Sequence, residues 1–140
     1  MLFTDSLRFA QNRIESGAFY SLMSLRQEIC DHVIATWDTA IYMRVICLQV
    51  VFIYPPEYLR RMSPDDPMAI LARKIFEEYN TTGKISGYRW FVLQTPATNQ
   101  WYLDSVIRYT KELAKNITML GRVKYIINNQ GGYIYIVELT

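Results

Sequence analysis

The chain has 140 residues, of which 51% are hydrophobic and 20% are charged. This composition excludes a disordered or collagen-like chain, and the length suits one globular domain. With 15 basic and 13 acidic side chains, the net charge of +2 is too small to predict nucleic-acid binding by electrostatics alone.

The first part of the chain predicts two helices followed by one long strand. A helix begins near residue 5 and ends at Gly17, and apolar residues at helical spacing predict a second helix over Tyr20 to Trp37. The run from Thr39 to Tyr54 is largely apolar on both faces, which predicts a strand in the middle of a helix-covered sheet. We allow for a bend or break near Gln49 because the run is long for one strand.

The centre of the chain predicts a third helix and a second strand. Asp66-Pro67 is typical of a helix start, because the carboxylate can cap the first turn and proline loses no hydrogen bond at the first helical position. The apolar stripe that follows ends at Gly83. Ile85 to Thr95 then alternates as a strand.

The last part of the chain predicts a long helix and a hairpin. Thr98 or Asn99 caps a helix that runs to Leu120. The strands Arg122–Asn128 and Tyr133–Leu139 follow, and the glycine-containing segment between them can form the turn of a hairpin.

These elements follow the order α-α-β-α-β-α-β-β. The order predicts an α+β fold in one domain, 1–140, with a single mixed β-sheet flanked by helices and a C-terminal β-hairpin. The longest apolar run, Ile41 to Tyr54, has 14 residues, whereas a helix needs about 20 to cross a bilayer. We therefore expect a soluble, cytoplasmic protein with no membrane association.

The two cysteines, Cys30 and Cys47, are too few for a disulfide framework. A single disulfide between them is one alternative. The N-terminus has an early acidic residue and lacks the basic segment of a signal peptide, which favours an intracellular location. That location predicts two reduced, buried thiols.

The sequence contains no GxGxxG, GKS, GKT, GxSxG or HExxH motif. Its single histidine, His32, has no partners at a spacing that predicts a catalytic triad or a zinc site. Tyr88-Arg89-Trp90-Phe91 mixes aromatic and cationic residues as a single-stranded nucleic-acid binder does, but its alternation also suits a sheet interior. We favour the sheet interior. We expect no catalytic residues, metal, cofactor or nucleic-acid partner, and a non-enzymatic role is favoured.

Tyrosine is unusually frequent, with 11 Tyr beside 6 Phe and 3 Trp. Tyrosine is enriched in protein interfaces because its ring is apolar and its tip is polar. We predict a binding surface anchored by Tyr133, Tyr135, Tyr58, Arg60 and Arg61. The chain would be a small accessory protein, of the kind that viruses and mobile elements encode. It would bind an unknown protein partner stoichiometrically and form homo-oligomers, with a strand of the C-terminal hairpin as a candidate sheet edge.

A second hypothesis comes from a family resemblance. The order strand–helix–strand–helix–hairpin, from about Ile41 to Leu139, resembles the later half of acetyltransferases of the GNAT family. Tyr54-Pro55-Pro56-Glu57-Tyr58 is similar to the strand end before that family's pyrophosphate loop. Thr95, Asn99 and Tyr109 are similar to its later motif, in which a tyrosine often serves as general acid.

The resemblance implies acyl transfer from acetyl-CoA, with Tyr109 as proton donor and Arg60 and Arg61 holding the phosphates of the cofactor. The family's loop is rich in glycine, so its backbone N–H groups can face the pyrophosphate. The corresponding segment here, Arg60 to Pro67, has no glycine, two prolines and two acidic residues. Acyl transfer is therefore the alternative, and protein binding is the main prediction.

Overall fold

The computed structural model describes residues 14–54, 56–95, 115, 117–129 and 132–140. Its helices are α1 (Ile14–Ser24), α2 (Arg26–Ile29), α3 (Ala40–Ile46), α4 (Pro56–Arg61), α5 (Pro67–Thr82) and α6 (Ile117–Leu120), with a 3-10 turn at Trp37–Thr39. Its strands are β1 (Val33–Thr36), β2 (Val50–Ile53), β3 (Trp90–Thr95), β4 (Gly121–Asn129) and β5 (Gly132–Leu139).

The strands form one mixed sheet in the order β2-β1-β3-β5-β4. β1 pairs in parallel with both β2 and β3. β5 runs antiparallel between β3 and β4. The predicted α+β class is confirmed, as are the single mixed sheet flanked by helices and the C-terminal hairpin. Within the described residues, β2 and β4 are the two edges of the sheet.

Each face of the sheet has its own hydrophobic cluster. On the first face, the buried side chains Leu22, Ile29 and Met43 pack α1, α2 and α3 against the strands. On the second face, Ile75 of α5 and Leu120 of α6 are buried against the strands. The sheet is therefore covered by helices on both faces.

The helix α5 begins and ends as its sequence predicts. The Asp66 carboxylate accepts a hydrogen bond from the Met68 N–H at 2.9 Å, and Pro67 takes the first helical position. At the other end, Gly83 adopts a left-handed φ of 73° and donates its N–H to the Tyr79 carbonyl at 2.8 Å. Both ends are satisfied by the residue types that local backbone chemistry favours there.

The predicted helix over Tyr20 to Trp37 is wrong in its second half, and Gly17 does not end a helix. α1 continues through Gly17, and α2 stops before His32, which adopts a left-handed φ of 51°. Val33 to Thr36 then form β1, with all four residues buried. A strand that is buried on both faces has apolar residues at successive positions, so some of them fall at helical spacing by coincidence.

The predicted strand over Thr39 to Tyr54 is wrong in its first half, which forms α3. Ala40 and Met43, three positions apart, bury one side of α3 against the sheet. The exposed positions of α3 are also partly apolar, so the sequence hides the helical spacing. The anticipated break near Gln49 is present, but β2 lies at an edge of the sheet and not in its middle.

The second half follows its prediction more closely. β3 covers Trp90 to Thr95, the later part of the predicted strand. Most of the predicted helix from Thr98 to Leu120 lies outside the described residues, and α6 is its last turn. A Cβ atom on Gly121 would lie 2.1 Å from the Glu138 carbonyl oxygen, so the close approach of β4 and β5 requires glycine there.

The prediction of two reduced thiols is wrong, because Cys30 and Cys47 form a disulfide with their Cα atoms 5.3 Å apart. Strand register explains the pairing. Val33 lies opposite Val50 at the start of the parallel pair β1–β2. Each cysteine stands three residues before its strand, so the register brings the two cysteines side by side.

Candidate interaction surface

The two edges of the sheet differ in charge and regularity. β2 contains Val-Val-Phe-Ile, and no charged residue occurs from Val45 to Tyr54. All four residues of β2 pair with β1, and no described strand pairs with its other side. β4 carries Arg122 and Lys124, and its pairing with β5 is interrupted by a bulge between Val123 and Tyr125. Charges and bulges are two of the devices that protect a sheet edge from pairing with another chain, and β2 has neither. β2 is, however, only four residues long and has α5 packed against it.

The β4 edge is tied to the helical layer through Glu28 of α2. The Lys124 ammonium pairs with this carboxylate, and the Tyr125 hydroxyl donates a hydrogen bond to it at 2.7 Å. Lys124 is the main reason that the pKa of Glu28 lies below its usual value. The same contact with Glu28 raises the pKa of Lys124 and that of Tyr125. Arg122 pairs with Glu138 of β5 at 3.0 Å.

A depression of about 530 Å³ lies beside the start of β2. Leu48, Val50 and Val51 line it from the strand side, and Met68 and Leu71 line it from α5. Cys30 also lines it, which places the disulfide beside the depression. Most of these side chains are apolar, so this part of the edge is an apolar groove between a strand and a helix.

Exposed apolar side chains also lie on α3, the helix that precedes Leu48 and β2. Ile41 and Val45, one helical turn apart, are 74% and 67% exposed, and Leu48 is 105% exposed. We call Ile41, Val45, Leu48, Val50 and Val51 the β2-edge surface. Single exposed apolar residues are ordinary, but several of them near an edge strand are typical of an interaction site.

Charged groups lie at one end of the groove, where Asp31 and His32 precede β1. His32 Nδ1 lies 2.6 Å from Asp31 Oδ1, and the Arg89 guanidinium lies 3.4 Å from the other carboxylate oxygen. The contact with His32 is the main reason that the pKa of Asp31 lies below its usual value. These side chains are exposed, so they form a polar rim beside an apolar groove.

Two predicted binding residues, Tyr133 and Tyr135, lie two positions apart on β5. Their ring centroids are 6.0 Å apart, and Tyr133 is 45% exposed. Tyr135 is half-buried against the cluster on the second face. β5 is an interior strand, and the hairpin reaches the sheet edge through β4. The ring of Tyr133 is therefore exposed at the end of the sheet. The backbone of its strand pairs with β3 on one side and β4 on the other.

The other three predicted binding residues, Tyr58, Arg60 and Arg61, lie on α4. Tyr58 packs against the cluster on the first face, whereas both arginines are exposed. Arg60 lines a second depression of about 310 Å³ between α4 and α5. α4 follows β2, which lies three strand spacings from β5, about 14 Å. The five predicted residues therefore occupy two separate surfaces and not one site.

Sequence reasoning missed Asp38, in the 3-10 turn after β1. Both of its carboxylate oxygens are buried, and within the described residues neither makes a hydrogen bond of normal geometry. The pKa of Asp38 is raised to about 6, mainly because burial disfavours the charged form. The Thr36 side chain and the local backbone counteract this only in part. An acidic residue between two apolar runs was the available signal.

Comparison with protein families, curated proteins and solved structures found no match for this chain. Two structural observations bear on the acetyltransferase alternative. β1 lies hydrogen-bonded between β2 and β3, so the strand that leads to Tyr54 and the strand that ends at Thr95 are not neighbours. Asn99 and Tyr109 lie outside the described residues, and the alternative stays a prediction.

Two kinds of site are absent from residues 14–54, 56–95, 115, 117–129 and 132–140. Across these ranges, no three His, Cys, Asp or Glu side chains come together in a way that could hold a metal ion. No helix in the same ranges combines the length and apolar content needed to cross a bilayer. The β2-edge surface is therefore the feature on which a function can best be argued.

Proposed function

We propose that this chain is a non-catalytic protein that works by stoichiometric binding to a protein surface, and that it self-associates. It fits the description of a small accessory protein such as viruses and mobile elements encode. The observation that supports this proposal is the β2-edge surface, where exposed apolar side chains accompany a strand that pairs with only one described neighbour.

The exposed apolar side chains of this surface would contribute to the free energy of association. Removing one Ile, Leu or Val side chain from water contributes about 1.5–3 kcal/mol. Ile41, Val45 and Leu48 are all largely exposed. Burying the three of them gives several kcal/mol towards the cost of fixing two molecules together, and backbone hydrogen bonds of an added strand would contribute further.

The charge distribution also favours a protein partner. The segment from Val45 to Tyr54 has no charged residue, so an apolar partner surface can approach it without desolvating an ion. Arg44 stands one residue before this segment, and its guanidinium lies 4.9 Å from the Trp37 ring centroid. Tyr133 at the end of the sheet offers a second, smaller contact surface.

The cytoplasmic location also stays a prediction. Disulfides are rare in reducing compartments, so the Cys30–Cys47 bond weighs against it.

Sedimentation equilibrium of the purified chain tests the proposal. We expect a concentration-dependent dimer or small oligomer. Leu48→Glu and Val45→Glu should each weaken association on the order of 100-fold, because each places a charge in an apolar contact. Met119→Glu is the matched control, since Met119 is also exposed (69%) but lies on α6. A chain that stays monomeric at every concentration would rule out self-association.

A further inference from the structure

We propose that the Cys30–Cys47 disulfide is a site of thiol–disulfide exchange, attacked at Cys30 through the apolar groove by small thiols with an uncharged apolar body. Such exchange requires neither self-association nor a protein partner. Two separate observations support it. The two cysteines differ in exposure, and the walls of the groove beside Cys30 are mostly apolar.

The two cysteines of the disulfide differ in access from outside. Cys47 is only 4% exposed and belongs to the buried cluster on the first face of the sheet. Cys30 is partly buried against the same cluster, but it lines the groove, which Cys47 does not. The rate of thiol–disulfide exchange depends on which sulfur an incoming thiolate can reach. Cys30 therefore offers the sulfur that is open to attack.

The walls of the groove select the kind of thiol. Leu48 and Val50 line it from the strand side, and Met68 and Leu71 line it from α5, which packs against β2. The volume of about 530 Å³ falls within the range of small-molecule sites. An uncharged apolar body gains by leaving water in such a groove, whereas a thiol with a charged body must desolvate its charge.

The charged rim does not bar a thiolate from Cys30. Asp31 follows Cys30 in the chain, and its carboxylate lies 3.4 Å from the Arg89 guanidinium. Arg89 also lies 3.9 Å from Glu138, which pairs with Arg122 at 3.0 Å. Charges of opposite sign alternate along these four side chains, so the set has no net charge with which to repel an anion.

In the exchange step, the incoming thiolate attacks the Cys30 sulfur and forms a mixed disulfide with it. The Cys30–Cys47 bond breaks, and its electron pair leaves on the Cys47 sulfur, which takes a proton from water. A second thiol molecule then attacks the mixed disulfide, which returns Cys30 as a thiol and releases a small disulfide. Over both steps two small thiols are oxidised and the protein disulfide is reduced. The covalent link between the segments that lead into β1 and β2 is thereby opened.

Early trapping of the mixed disulfide tests the site on the unmodified chain. The protein is mixed with phenylmethanethiol, quenched in acid before the adduct rearranges, and mapped by peptide mass spectrometry. We expect at least tenfold more adduct on Cys30 than on Cys47 in the folded chain, and about equal amounts in concentrated urea, where both sulfurs are accessible. Equal adducts in the folded chain, or no adduct while the unfolded chain reacts, would show that Cys30 is not the site.

A charged thiol tests the selection by the groove walls. Mercaptoethanesulfonate is the charged counterpart of phenylmethanethiol. The rate of each thiol with the folded chain is divided by its rate with the urea-unfolded chain, which removes the difference in intrinsic reactivity. We expect this ratio to be on the order of tenfold higher for phenylmethanethiol. Equal ratios would overturn the preference for apolar thiols.

Two glutamate variants on α5 test the route of entry. Leu71→Glu places a charge in the groove wall, and Ile70→Glu places it at the neighbouring position, which does not line the groove. The two side chains are similarly exposed, at 36% and 40%, so both variants should fold. We expect Leu71→Glu to slow the reaction of Cys30 with phenylmethanethiol about tenfold and Ile70→Glu to change it less than about twofold. Equal rates for the two variants would show that the thiol does not enter through the groove.

Discussion

Both edges of the sheet carry backbone N–H and C=O groups. The two edges differ in the charge and regularity of the strands that form them. β4 has a bulge, two cations and a connection to Glu28 in the helical layer. β2 is short, uncharged and flanked by exposed Leu48. The charges and the bulge oppose pairing of β4 with another strand, whereas β2 lacks both and is accompanied by exposed apolar side chains. The contrast within one molecule locates the candidate interaction surface without any bound partner.

The acidic groups near the two edges differ in the same way. Glu28, beside β4, is paired with Lys124 and has a lowered pKa. Asp38, in the turn after β1, has buried carboxylate oxygens and a raised pKa, because the Thr36 side chain and the local backbone offset the effect of burial only in part. The Glu28 carboxylate near β4 is neutralised by the Lys124 ammonium. Burial disfavours the charged form of the Asp38 carboxyl on the β1–β2 side.

The largest expected effect concerns the disulfide that holds the β1–β2 side. It links residues separated by 17 positions, and closing a loop of that size stabilises a fold by about 3 kcal/mol. The double variant Cys30→Ser, Cys47→Ser should lose about that free energy of unfolding in urea denaturation. Reductant should destabilise the wild type similarly and leave the double variant unchanged. Two reactive thiols in the native, non-reduced protein would contradict the prediction.

The next effect concerns Asp38. Its folded-state pKa of about 6 exceeds the ordinary value of 3.8, so the folded state holds the proton more tightly. Its contribution to stability is therefore highest below pH 4, falls as pH rises to about 6, and then stays level. Asp38→Asn should be more stable than the wild type by roughly 2–3 kcal/mol at pH 7, and the difference should vanish near pH 4.

Urea denaturation across this pH range measures the difference for Asp38→Asn. Asp65→Asn is the matched control, because Asp65 is exposed. The control should show no comparable dependence on pH. A gain for Asp38→Asn that is the same at pH 4 and pH 7 would show that its origin is not the carboxylate charge.

The smallest effect concerns Glu28 at the β4 edge. Its lowered pKa means that its stabilisation is complete above the ordinary value of 4.5 and is lost as pH falls through the folded-state pKa. Glu28→Gln should cost about 1 kcal/mol at neutral pH, since it removes the charge that Lys124 and Tyr125 bond to. The exposed Glu77→Gln is the control. If the cost persists unchanged into acid, charge pairing is not its source.

How far the sequence predicts the fold depends on whether local signals decide each element. Asp66-Pro67 and Gly83 fix the ends of α5, and the hairpin follows from a short turn between alternating strands. In the first half, by contrast, Val33 to Thr36 and Ala40 to Ile46 are both apolar runs. Tertiary packing decides that the first run becomes a strand and the second a helix. No local sequence signal distinguishes the two runs.

The candidate surface was only partly foreseeable. The sequence predicts a binding protein with a strand of the C-terminal hairpin as its candidate sheet edge, and it names Tyr133, which is exposed. It places the run to Tyr54 in the middle of the sheet, so it cannot find the β2 edge. Strand order is a long-range property that local patterns do not encode. The disulfide was named only as an alternative, because it depends on the register of two strands that the sequence alone does not resolve.

The position of that disulfide has a consequence for strand alignment. A slip of one residue between β1 and β2 would turn every side chain of β2 to the wrong face, so side-chain patterning already forbids it. A slip of two residues keeps every side chain on its face and escapes that constraint. It would, however, move the Cα atoms of Cys30 and Cys47 from 5.3 Å to about 8.5 Å, beyond the reach of a disulfide. The disulfide therefore favours the native register over a two-residue slip, which the hydrophobic pattern alone would allow.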